Sequence, residues 1–102
     1  MEKRKPSFDL EAFKRVCGDP DRLEMTETAI KSAQQLGFQR ADVARLIDTM
    51  DSRMFYKSMT SHADSRRWQD VYHVPTPSGL TIYLKFTNDI VTEFFVLSFK
   101  EK

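Results

Sequence analysis

Cysteine is nearly absent. Cys17 stands alone in 102 residues, which excludes an internal disulfide framework and a Cys-based zinc site and fits a reducing compartment. It reads as a small buried apolar filler. An excess of one charge is missing too, because sixteen basic and fifteen acidic side chains leave a formal +1. Any nucleic-acid binding must therefore come from local charge placement and not from a cationic whole. No apolar run approaches the ~18 residues of a membrane span, and MEKRKP leads into a polar segment instead of a signal core. The expected location is the cytoplasm, with no membrane partner. Also missing are a P-loop, a dinucleotide-binding glycine turn, HExxH, GxSxG and zinc-finger spacing. His62, Asp64 and His73 could hold a metal only by converging from a loop and a strand without a cysteine, so no metal site is expected.

What is present is enough to fold. Hydrophobic residues make up 40% of the chain and charged residues 30%, which suits one domain spanning residues 1–102. Phe8, Leu10, Ala12, Phe13 and Val16 recur at helical spacing, predicting a first helix of about nine residues capped by Ser7 or Asp9 and stopped by Gly18, Asp19 and Pro20. Thr26 or Thr28 can cap a second helix with Ala29, Ile30, Ala33 and Leu36 on its apolar stripe and Gly37 at its end. A third spans Arg40 to Met50, with Val43, Ile47 and Met50 on one face.

Beyond Ser52 the period changes. SRMFYKSM suits a brief helical turn, TSHADSRR an exposed loop, and the β half is expected to begin near Trp68 with WQDVYHV. PTPSG reads as a turn. LTIYLKF then alternates, with Ile82, Leu84 and Phe86 on one face and Thr81, Tyr83 and Lys85 on the other. Asn88 and Asp89 are expected to turn the chain into EFFVLSFK, where Phe95, Leu97 and Phe99 would face the core and Phe94, Val96, Ser98 and Lys100 the opposite side. Helices first and an antiparallel sheet last make the class α+β. Alternation also puts Tyr83 and Lys100 on one non-core surface, where a phenol and an ammonium can bind phosphate.

Other side chains have a bland and a functional reading. Lys57 follows two aromatics and either snorkels over the Phe55 and Met59 neighbourhood or directs its ammonium into a groove. Arg66 and Arg67 precede Trp68, as a basic and aromatic edge for a single-stranded nucleic-acid backbone would, or as ordinary exposed arginines. His73 is a strand-surface histidine or a nucleic-acid contact. Lys3, Arg4 and Lys5 form a small cationic arm that reads as a solubilising terminus.

FYKSMT, WQDVY, IYLKF and the terminal LSFKEK, with the opening MEKR, closely resemble the MqsR toxin family of bacterial mRNA interferases. The resemblance covers nearly the whole chain and is densest from Phe55 to Lys102. It implies a RelE-like α+β fold, with N-terminal helices packed on a C-terminal antiparallel β-sheet. The implied activity is that of the toxin of a type II toxin–antitoxin pair, a metal-independent endoribonuclease with no cofactor that cleaves single-stranded mRNA at GC-starting sites such as GCU. Matched block by block, the family's catalytic residues fall on Lys57, Gln69, Tyr83 and Lys100. Met59 resembles a groove residue, although a core or rim methionine fits it as well. Arg66 and Arg67 stand where the familiar member has uncharged residues and would add backbone contact, with His73 or Tyr72 available for base contacts.

The chemistry follows from RNA itself, which carries its nucleophile in the 2′-hydroxyl. Aligning that oxygen with the phosphate, taking its proton and neutralising the phosphorane leave a 2′,3′-cyclic phosphate and a 5′-hydroxyl. The implied partner is an MqsA-like antitoxin that binds zinc in its own N-terminal domain, pairs with a sheet edge here and supplies any DNA contact. The alternatives are a catalytically weak RNA-binding or antitoxin-dependent regulatory protein and a purely structural interaction protein. Charge placement accords with a localised cleft: residues 1–51 carry nine basic and ten acidic groups, residues 52–102 seven and five.

Overall fold

The computed structural model describes residues 1–89 and 93–102. The helices are α1 (Leu10–Cys17), α2 (Glu27–Gln35) and α3 (Arg40–Asp48). Their caps explain their limits. Asp9 accepts hydrogen bonds from the Glu11 and Ala12 amides and starts α1, and Thr26 accepts one from Ala29 and starts α2. The Gln39 amide donates to Asp42 at the start of α3. Gly37 follows α2 with φ +85°, a conformation that costs a glycine little.

The strands are β1 (Glu2–Lys3), β2 (Phe55–Met59), β3 (Gln69–Pro75), β4 (Thr81–Asp89) and β5 (Glu93–Glu101), in an antiparallel sheet of that order. The α+β class expected from the sequence is therefore observed. The helices cover one face, where Phe13, Leu23, Ala29, Ala33, Val43, Ile47 and Met50 meet Tyr72, Val74, Ile82, Leu84 and Phe86 in one core. Cys17 is buried among them, and burial pushes its thiol up to about 11, in keeping with an unreactive filler. No helix among the described residues is long and apolar enough to cross a membrane.

Four expectations need correction. The β half begins before Trp68: after a single 3-10 turn at Ser52–Met54, FYKSM is strand β2 and not part of a helix. The N-terminal arm is no free solubilising tail, since Glu2 and Lys3 pair with Met59 and Ser58, and the Lys3 ammonium lies 4.2 Å from the Trp68 ring centre. Asn88 and Asp89 belong to β4, opposite Phe94 and Glu93, and the connection expected at them lies outside the described residues. In β5 the core residues are Phe94, Val96 and Phe99, not Phe95 and Leu97. The cause is a bulge: Lys85 pairs with Ser98 but Phe86 pairs with Val96, which leaves Leu97 as the extra residue and inverts the faces on one side of it. Ser98, Phe99 and Lys100 lie beyond the bulge and face as alternation predicts.

The segment joining β1 to α1 is tied down by a buried carboxylate. Asp70 accepts hydrogen bonds from the Ser7 amide at 3.1 Å and the Phe8 amide at 3.0 Å, while the Ser7 and Ser58 hydroxyls meet at 2.7 Å. Replacing Asp70 by Ala orphans two amides. Asp70→Ala is expected to lower the unfolding free energy by about 1–3 kcal/mol, read from the urea midpoint at unchanged m.

Candidate active site

With the helices on one face, the other face of the sheet is open to solvent and collects a side chain from every strand. Register partners share a face. One row runs Lys57, Val71, Lys85, Ser98, and the next runs His73, Tyr83, Lys100. A third begins Glu2, Met59, Gln69. The four residues matched to the family's catalytic set thus lie on this one face, delivered by β2, β3, β4 and β5. Met59 and His73 lie there as well.

Two bulges shape the surface. In β2, Phe55 pairs with Tyr72 on the helix side while Lys57 pairs with Val71 on the open side, leaving Tyr56 as the extra residue. Tyr56 lies against the His73 ring, with centres 4.3 Å apart and planes 24° from parallel. The Arg4 guanidinium is 5.6 Å from the same phenol ring. The second bulge, at Leu97, returns Lys100 to the open face beside Tyr83, and the Lys100 ammonium lies 5.1 Å from the Tyr83 ring centre.

The electrostatics divide the lysines. Lys57 donates to the Glu2 carboxylate at 2.5 Å, and this hydrogen bond raises the ammonium above its ordinary value while lowering Glu2. Lys57 therefore stays charged at neutral pH. Lys85 goes the opposite way, because burial first, then the Lys100 and Lys57 charges, lower its affinity for the proton. Burial raises the Tyr83 phenol, which stays neutral at pH 7. Burial and Lys102 lower His73 from an already near-neutral value, keeping its imidazole mostly uncharged at that pH. The Gln69 Oε1 atom is buried and has no hydrogen-bond partner among the described residues.

Arg66 and Arg67 lie close to Gln69 in the chain but are not brought to Tyr83 and Lys100. They sit in the loop before β3, where Arg67 pairs with Asp64 at 3.6 Å and with Asp89 at 3.5 Å, and Arg66 is 4.0 Å from Asp64. Asp89 is six residues along β4 from Tyr83, a separation of about 20 Å. His62, Asp64 and His73 likewise do not group, and no cluster of three metal-ligating side chains occurs among the described residues.

Sequence reading missed two members of the site. Glu2 reaches Lys57 through a two-residue strand that no periodicity can signal. Alternation puts Lys85 on the correct face but carries no sign of a task for it. The Glu2 contact has a testable consequence, since a phosphate must compete with the carboxylate for Lys57. Glu2→Gln is expected to tighten the binding of inorganic phosphate at Lys57, read by titration of the lysine resonances, with the gain shrinking as salt is added.

An open surface with three lysines, a neutral phenol, an unpaired amide and a stacked aromatic pair suits a phosphodiester with a base alongside. Residues 5–101 match the profile of the family described as motility quorum-sensing regulator, toxin of MqsA. Across 102 residues, covering all of both chains, the sequence is 34% identical to the mRNA interferase toxin MqsR of Escherichia coli (strain K12).

Proposed function

The chain belongs to the MqsR toxin family, and on that premise we propose that it is an mRNA interferase, the toxin of a type II toxin–antitoxin pair, which cleaves single-stranded mRNA on the open sheet face. The observation that carries this reading is the convergence of Lys57, Gln69, Tyr83 and Lys100 from four strands on one face.

Each group has a role that its surroundings favour. Lys57, held as an ammonium, binds the scissile phosphate after displacing Glu2, and it can give a proton to the leaving 5′-oxygen. Lys100 adds the second positive charge to the phosphorane. Tyr83, a neutral phenol, donates a hydrogen bond to a non-bridging oxygen and assists proton transfer. Gln69 orients the ribose, and a hydroxyl donating to its unpaired oxygen would relieve a buried vacancy worth about 1–3 kcal/mol. Met59 lies at the rim, and the stacked Tyr56 and His73 rings offer a flat surface to a neighbouring base.

The 2′-oxygen attacks phosphorus as the bond to the 5′-oxygen breaks, so the ends are a 2′,3′-cyclic phosphate and a 5′-hydroxyl. Preference for GC-starting sites such as GCU comes with the family. The partner is an MqsA-like antitoxin carrying its own zinc, paired along a sheet edge, with DNA bound only through the complex and the whole acting in the cytoplasm. The test uses purified chain, EDTA and a defined RNA with separated GCU, GCA and non-GC sites, with end groups read by mass. Site-dependent cleavage to the cyclic phosphate is expected. Intact RNA would overturn the reading and leave the catalytically weak binding protein in its place.

A further inference from the structure

Lys85 is the polar side chain nearest the middle of the open face. It lies one strand from β5 and two from β2, in the same row as Lys57 and diagonal to Lys100. Strand spacing puts its Cα about 10 Å from that of Lys57, with the nearer positions taken by Val71 and Ser98, neither of which carries charge. Unlike Lys57, it has no carboxylate or hydrogen-bond acceptor among the described residues. The titratable groups facing it are Lys57 from β2, His73 diagonally from β3, Tyr83 from its own strand and Lys100 diagonally from β5, and the His73 imidazole is mostly uncharged at pH 7. Glu2 answers Lys57 instead. A half-buried amine flanked by two cations and left without an anion is held where a substrate would complete it.

We propose that Lys85 is a further catalytic residue of the ribonuclease reaction, the base that removes the proton from the attacking 2′-hydroxyl; this rests on the reading of the open face as an RNA-cleaving site. Lys57 is committed to Glu2 and then to phosphate, which favours its charged form, and Lys100 is exposed over the Tyr83 ring. Lys85 alone has surroundings that favour release of the proton, in agreement with the direction of its titration. The step balances without a further reactant. The neutral Lys85 amine takes the 2′-proton as the 2′-oxygen bonds to phosphorus, the bond from phosphorus to the 5′-oxygen breaks, and the Lys57 ammonium supplies the proton that makes the 5′-hydroxyl. Exchange with water then restores both lysines.

The experiment is single-turnover cleavage of a GCU-containing RNA from pH 5 to pH 10 by the wild-type chain, Lys85→Arg, Lys85→Gln and Lys57→Met. Arg keeps the charge but cannot serve as a base at these pH values. Lys85→Arg is expected to bind a non-cleavable 2′-deoxy RNA as the wild type does, to cleave about a hundredfold more slowly at pH 7, and to lose the plateau that marks titration of the base. A substrate with sulfur in place of the bridging 5′-oxygen needs no proton on its leaving group, so it should recover the part of the Lys57→Met loss that comes from proton donation but none of the loss in either Lys85 variant. If Lys85→Arg cleaves within about threefold of the wild type and keeps its plateau, or if the sulfur substrate restores it, Lys85 is not the base while the ribonuclease reading stands. A wild-type chain that leaves RNA intact overturns both.

Discussion

Lys57→Met is expected to cut cleavage of a GCU-containing RNA by roughly 10²–10⁴-fold while leaving the melting temperature nearly unchanged. Its methylenes lie along the sheet and methionine keeps that packing, so the loss falls on charge alone. The ammonium is exposed in part, and its carboxylate partner among the described residues, Glu2, comes from an edge strand. With the Glu2 carboxylate largely in solvent, the pair contributes little to folding. In the transition state the same charge faces a phosphorane and a leaving oxygen, where a fixed cation acts on charge that the ground state lacks. Cleavage within about twofold of the wild type would remove Lys57 from the reaction.

Phe86→Ala should have the largest effect on stability, about 3–5 kcal/mol, against the roughly 5–15 kcal/mol that holds a domain of this size folded. Phe86 is fully buried on the helix side of β4 and stacks on Phe13 with ring centres 3.7 Å apart and planes 7° from parallel. Phe94 meets its edge at 5.9 Å, and Phe8 and Tyr72 close the cluster. Removing the ring takes the contact between α1 and the sheet with it and leaves a void that rigid β-sheet neighbours cannot fill. A loss of less than about 1 kcal/mol, read as the shift in urea midpoint multiplied by an unchanged m, would show that this cluster is not the centre of the core. The same strand carries Lys85 on its other face, so loss of Phe86 should also lower the fraction of active enzyme on warming.

Much of the site was legible where alternation was unbroken. Tyr83 and Lys100 were placed together from the period of two alone, and the register pairs them directly. The helix caps were narrowed to pairs of residues, and the structure selects Asp9 over Ser7 and Thr26 over Thr28. Bulges hid the rest. One extra residue at Leu97 reversed the inward set of β5 on its N-terminal side, so Phe94 and Val96 pack where Phe95 and Leu97 were expected. Another at Tyr56 put two consecutive side chains on the open face, which broke the period of FYKSM and made a strand look helical. Glu2 escaped for a different reason: its contact with Lys57 bridges fifty-five positions and depends on a strand of two residues. The roles of Lys57 and Gln69 came from family resemblance and not from spacing, because a lysine beside aromatics is as readily a snorkelling side chain.

The most direct test replaces one atom of the substrate. In EDTA, the chain is given two RNAs alike except that the nucleotide 5′ to the scissile phosphate is ribose in one and 2′-deoxyribose in the other. The ribose RNA should be cut to a 2′,3′-cyclic phosphate and a 5′-hydroxyl, and the deoxy RNA should bind with similar affinity and stay whole. Cleavage of the deoxy RNA at that bond would contradict the account, because every role assigned to the open sheet face serves attack by the 2′-oxygen.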